Sequence, residues 1–246
     1  RNFANKIWNA SRFIMMNMTE DFVIPSADTN PEELQLAIAD KWILSKCNHL
    51  IKEVTEHMES YDLGIAVQKV YDFIWDEICD WYIEMVKPRL YNSDNEESQN
   101  AALWTVKHTL IQSLKLLHPF MPFITEEIFL TLQSAEESIM ISKWPEYQKE
   151  YQFLKEEKEI EVMKEAGVDI SNHKPKLLSD IPYELDILIT MGCNVVCPFV
   201  PNKFMQDWGL DDPSGGPIDG YRTTRDIIKQ KVEELIEKVN SKEIQL

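Results

Sequence analysis

Two groups of side chains in this sequence have the types and spacing to do chemistry. Near the start, Arg1, Asn2, Lys6, Asn9 and Arg12, with Asn5 among them, place cations and amides along a segment of helical periodicity. Guanidinium, ammonium and carboxamide groups are what phosphate oxygens and unpaired base edges bind, so the chemistry would be RNA recognition; an ordinary solvated helix face uses the same residues. Far along the chain, Cys193 and Cys197 are separated by three residues, and Asp211 and Asp212 precede Pro213. Two thiols in one loop can reach disulfide geometry, or can be unrelated cysteines, and an aspartate before proline can open a turn. His173 is the only histidine near the cysteine pair, short of the four ligands a structural zinc needs, and His49, His57 and His108 have no ligand spacing with any cysteine. No metal site and no cofactor bound by this chain are expected.

The remaining composition limits what those groups can do. Of 246 residues, 44% are hydrophobic and 27% charged, enough for packed cores and unlike a disordered chain. Lysine and arginine number 25 against 42 acids, and the net charge of −17 opposes nonspecific attraction to nucleic acid or to an anionic membrane. Any RNA contact must therefore be local, and the stretch before Glu20, with Arg1, Lys6 and Arg12 and no acid, is where it can occur. No apolar run approaches the roughly 18 residues of a membrane span, the first residues have no signal-peptide pattern, and four scattered cysteines read as reduced thiols. A cytoplasmic protein without a membrane partner is expected.

The elements that hold these residues follow two grammars. Six of its seven tryptophans lie before residue 160 and six of its seven glycines after it. Phe3, Ile7, Trp8, Ser11, Ile14, Met15 and Met18 form one helical face. Asn30-Pro31-Glu32-Glu33 reads as the capped start of a second helix ending near Ser60. Ile65, Val70, Ile74, Ile78 and Trp81 form a third stripe that stops near Pro88; a fourth helix spans about 99–117, and a fifth begins after Pro122. Ile187–Thr190 reads as a buried parallel strand, 198–220 as loop, and Thr223 to about Val239 as a closing amphipathic helix. The fold class expected is mainly α: an antiparallel helix bundle over 1–150, a helical junction over 151–166, and a smaller, incomplete α/β segment over 167–246.

The first of these modules resembles a known family. Arg1-Asn2-Phe3-Ala4-Asn5-Lys6-Ile7-Trp8-Asn9-Ala10-Ser11-Arg12-Phe13, the run Trp75-Asp76-Glu77-Ile78-Cys79-Asp80-Trp81-Tyr82, His118-Pro119-Phe120-Met121-Pro122, and Ser138-Ile139-Met140 with Trp144-Pro145 are similar, in order, to the C-terminal helical domain of valyl-tRNA synthetases. The resemblance implies a module that grips the anticodon stem and loop of valine tRNA in aminoacylation; the RNA-binding candidates Arg1, Asn2, Lys6, Asn9 and Arg12 come from their residue types along the first helix. The parent synthetases use ATP and magnesium; their nucleotide-binding motifs do not occur in this sequence, so the chain is not expected to adenylate valine alone.

The second module resembles a different family. Gly167-Val168-Asp169-Ile170-Ser171-Asn172-His173-Lys174-Pro175, Asp186–Cys193 and Asp207–Pro213 are similar to arsenate reductases built on the low-molecular-weight phosphatase fold. That resemblance implies Cys193 and Cys197 as thiol relay residues, Asp212 as general acid, and thioredoxin as a partner. The oxyanion-cradling Cys-x5-Arg loop of that family does not occur in this sequence. Three functions follow: a tRNA-binding module of a valine-tRNA ligase, a partial thioredoxin-coupled arsenate reductase, and a helix bundle that docks protein or a chimera without function.

Overall fold

The computed structural model describes residues 2–18, 34–91, 95–132, 138–167, 184–192, 200–241 and 243–244. Two compact units part between Glu157 and Lys158. The first is the expected helix bundle and the second a small α/β segment with a parallel two-stranded sheet.

In the first unit, α1 (Asn2–Asn17) buries Ile7, Ala10, Ser11 and Ile14. Trp8, expected on that face, is 39% exposed. α2 (Ile38–Glu59) starts later than the Asn30-Pro31 signal implies. Asn30 lies outside the described residues, and Leu34 to Ala37 precede the helix as non-helical chain. What starts α2 is Asp40, whose Oδ2 accepts the Ala37 N–H at 2.8 Å, a carboxylate reaching back from the first turn. α2 ends in a Schellman turn: the Asp62 N–H reaches His57 O at 2.8 Å and the Tyr61 N–H reaches Met58 O at 3.2 Å. Tyr61 occupies the left-handed position with φ 62°, where glycine is usual.

α3 (Leu63–Asp72) continues without a break through a π-helical stretch, Phe73–Tyr82, into α4 (Ile83–Leu90), and the Ile83 N–H bonds Ile78 O five residues back. The wider turn changes which residues face inward. Ile74, Ile78 and Tyr82 are fully buried and Phe73 and Ile83 nearly so, whereas Trp81, assigned to the stripe by α-helical spacing, is only half-buried. α5 (Glu96–Leu117) is capped by the Asn95 side chain, which accepts the Ser98 N–H. Leu103, Leu110 and Leu114 are fully buried, and so are Thr105, Thr109 and Ser113. Thr109 and Ser113 donate to carbonyls one turn back, so these hydroxyls enter the core satisfied. α6 (Pro122–Leu132) follows the His118-Pro119 turn, where His118 Nδ1 lies 2.7 Å from Thr125 Oγ1.

The segment after α6 straps back along α2. Trp144 Nε1 donates to Thr55 Oγ1, Asn48 exchanges two hydrogen bonds with the Gln148 backbone, and the Phe153 N–H donates to Ser45 Oγ. Lys41 pairs with Glu156 on α7 (Leu154–Glu165) at 3.2 Å. Leu44, Trp104 and Tyr151 pack together beneath this strap.

The second unit contains β1 (Leu185–Thr190), β2 (Asn202–Asp207) and α8 (Ile218–Asn240). β1 begins two residues earlier than the apolar run suggests. β2 corrects the reading of 198–220 as loop: Asn202, Lys203, Gln206 and Asp207 hide a strand whose apolar content is only Phe204 and Met205. The strands are parallel, with Ile187 opposite Phe204 and Thr190 opposite Asp207. Gly192, φ +79°, comes so close to Gly209 that a Cβ would sit 2.5 Å from its Cα, so the chain leaves β1 by a path open only to glycine.

Candidate nucleic-acid interface

Helical geometry sorts the residues of α1. Asn2, Asn5, Asn9 and Arg12 recur at intervals of three and four and are all exposed, so they form one outward stripe opposite buried Ile7, Ser11 and Ile14. At about 1.5 Å per residue the stripe is roughly 15 Å long. Arg12 forms no ion pair among the described residues. Met16, one turn on, is 76% exposed and extends the stripe with an apolar end.

Lys6 lies elsewhere. Its Nζ bonds Asp80 Oδ1 at 2.7 Å and stands 3.8 Å above the Trp75 ring, fastening α1 to the π-helical stretch. Phe3, Tyr71 and Trp75 form an aromatic cluster there, with Tyr71 and Trp75 5.6 Å apart and 12° from parallel. Arg1 lies outside the described residues. Thus the structure gathers Asn2, Asn5, Asn9 and Arg12 on one surface and turns Lys6 toward an acid and an aromatic ring. The three-four spacing of the asparagines was visible in the sequence; the diversion of Lys6 was not, because Asp80 is distant in the chain.

Tryptophans divide by burial. Trp42 and Trp104 are core, Trp75 and Trp81 are half-buried, and Trp8 is exposed beside the polar stripe. The buried thiols and the buried histidine of the bundle are held in their neutral forms. Burial pushes the Cys47 thiol up to about 12 and the Cys79 thiol up to about 11, the latter with Lys6 pulling against the trend. Burial, with Lys115 nearby, lowers His108 to about 4, so it is neutral at ordinary pH as it stacks on Trp104 with centroids 4.8 Å apart. No cluster of histidine, cysteine and carboxylate side chains able to hold a metal occurs among the described residues.

In the second unit, Asp212 Oδ1 accepts the Ser214 N–H at 2.9 Å, which is turn chemistry. Cys193 and Cys197 lie outside the described residues.

A mainly α bundle whose first helix presents amides and a cation in one exposed row is a class of protein suited to local RNA contact. Comparison with known proteins makes this specific. Residues 40–178 match the family model described as the anticodon-binding domain of tRNA ligase, and the chain belongs to that family. It is 49% identical over 178 residues to the valine–tRNA ligase of Clostridium perfringens, covering 72% of this chain and 20% of that protein. It is 47% identical over 182 residues to that of Clostridium tetani, covering 74% and 20%. With the Thermotoga maritima enzyme it shares 46% identity over 150 residues, 61% and 16% of the two chains. The chain thus spans about a fifth of the length of the first two relatives. Residues 150–245 match a second family model, low molecular weight phosphotyrosine protein phosphatase, so one chain joins parts similar to two unrelated families.

Proposed function

We propose that the helix bundle is the tRNA-binding module of a valine-tRNA ligase, taking the anticodon stem and loop of valine tRNA in cytoplasmic translation. The observation that carries this is the match of the bundle to the anticodon-binding family, joined to an exposed Asn2–Asn5–Asn9–Arg12 stripe in a chain of otherwise acidic balance. In this reading Arg12, with Arg1, contacts phosphate, the asparagines contact base edges or sugar hydroxyls, and Lys6 holds α1 in place beneath them. Binding needs no cofactor on this chain; ATP and magnesium serve the ligation in which the module takes part.

The test is binding of the purified chain to transcribed valine tRNA beside an anticodon-swapped tRNA across a salt series. The expected result is discrimination by anticodon, with affinity falling as salt rises. Arg12→Ala should weaken both tRNAs and reduce the salt slope by about one, whereas Asn9→Ala should erode discrimination between them. Equal or undetectable binding would overturn the reading in favour of a bundle that docks protein, or a chimera without function.

A second reading has an observation of its own, the phosphatase match over residues 150–245. In it the second unit is a partial arsenate reductase, with Cys193 and Cys197 as a thiol relay to thioredoxin and Asp212 as general acid. Thioredoxin-dependent turnover of arsenate, lost in Cys193→Ser and in Cys197→Ser, would support it; absence of turnover would remove it.

A further inference from the structure

We infer that the outer edge of β1 is an interface between two copies of this chain, joined through a two-fold axis near Leu188 into a continuous four-stranded sheet. Among the described residues the sheet has only β1 and β2, so β1 hydrogen-bonds a neighbour on one side and leaves its other backbone edge unpaired. The composition of β1 is that of an interior strand of a parallel sheet, which is covered on both faces, and not of a rim strand blunted by charge: Leu185, Ile187, Leu188 and Ile189 make it nearly continuously apolar, and all four are only partly buried. β2 carries the features of a natural edge: four of its six residues are polar or charged, Lys203 among them, and exposed positions alternate with partly buried ones. Among the described residues the sheet therefore has one protected edge and one unprotected edge.

A second copy is the occupant that the β1 sequence fits. A two-fold axis turns a strand antiparallel to itself, and with Leu188 on the axis, Ile187 stands opposite the partner's Ile189 and Asp186 opposite the partner's Thr190. Apolar residues meet apolar residues, and no like charges face each other. Asp186, the one charge in β1, is already held by Lys203 of its own copy at 2.7 Å, so pairing brings no uncompensated carboxylate to the seam. The symmetric contact closes on itself and leaves only the two β2 edges outward.

Electrostatics give the interface a signature opposite to that of RNA binding. Each copy carries −17, so the association works against net repulsion that salt screens, and the dimer should strengthen with added salt while tRNA affinity weakens. Failure of one reading is thus distinguishable from failure of the other.

The experiment is sedimentation of the full chain over a concentration series at low and high salt, without RNA. A monomer–dimer equilibrium that shifts toward dimer with salt is expected; a monomer throughout, or open-ended assembly, would overturn the inference. Ile187→Lys places two cations at the seam and should weaken the dimer at least tenfold; an unchanged dimer in this variant would overturn it. Because Ile187→Lys can also unsettle the second unit, Leu188→Cys, made with the four native cysteines changed to serine, gives an independent reading. Cysteines on a two-fold axis between antiparallel strands come within disulfide reach and should form a crosslinked dimer under mild oxidation. A dimer that persists without crosslinking through Leu188→Cys lies elsewhere, and the inference falls.

Discussion

At the residue scale, the polar groups that matter in the bundle are those the fold forces into one protonation state. His108, lowered to about 4 by burial and by Lys115, stays neutral in the folded protein while an unfolded histidine titrates near its ordinary 6.5. The unfolded chain thus binds more protons between those values, so stability from this residue is complete above about pH 6.5 and is lost as pH falls toward 4. The full effect is at most about 3 kcal/mol. We expect the melting temperature of the wild type to fall more steeply from pH 6.5 to 4.5 than that of His108→Gln, with curves compared by calorimetry. Parallel pH dependence in the two proteins would refute the assignment. Cys47 and Cys79, both raised by burial, have no neighbouring arrangement that would make a thiolate at neutral pH, and they belong to the packing.

Among elements, one buried polar network decides how the helices register. Asp40 on α2 is fully buried, and its Oδ1 accepts from Tyr82 Oη and from Arg89 Nη1, each at 2.7 Å. Arg89 also donates to the Ser98 hydroxyl and carbonyl, tying α4 to α5. The π-helical stretch sets Tyr82, rather than Trp81, at the inward position, so an unusual backbone and a buried carboxylate are coupled. Removing one partner leaves a charge buried without compensation. Arg89→Met and Asp40→Leu should each cost about 3–5 kcal/mol, and the double variant should cost less than the sum, as a double-mutant cycle in denaturant would read. Strict additivity of the two would mean that the pair acts as separate contacts.

For the whole molecule, burial is unevenly distributed. The core side chains from Ile7 to Tyr151 fill the first unit, whereas among the described residues the buried apolar side chains of the second are few: Ile160, Val162, Trp208, Tyr221 and Ile244. α8 illustrates the contrast, with Ile227 and Val232 each 39% and Ile236 53% exposed along a stripe that reads from sequence as a core face. Sub-global opening follows buried apolar contact, so limited proteolysis of the chain should leave a resistant fragment ending near Glu157. A protected fragment that retains residues 161–246 would contradict this.

Local periodicity, capping residues and composition are enough to read the two grammars of the chain, the mainly α bundle, most helix positions and the polar character of α1. Other features depend on partners distant in the chain. α2 begins at Ile38 rather than beside Pro31 because Asp40 is fixed by Tyr82 and Arg89, residues more than forty positions away. The third stripe changes phase because a π-helical turn, invisible to a 3.6-residue period, carries Tyr82 inward. β2 reads as loop because its two apolar residues, Phe204 and Met205, are adjacent and flanked by polar pairs, so it has no period-2 signal until a parallel neighbour supplies its hydrogen bonds. Lys6, one of the candidate RNA contacts, pairs with Asp80 and Trp75 because helix packing, not chain distance, chooses the partner of a cation.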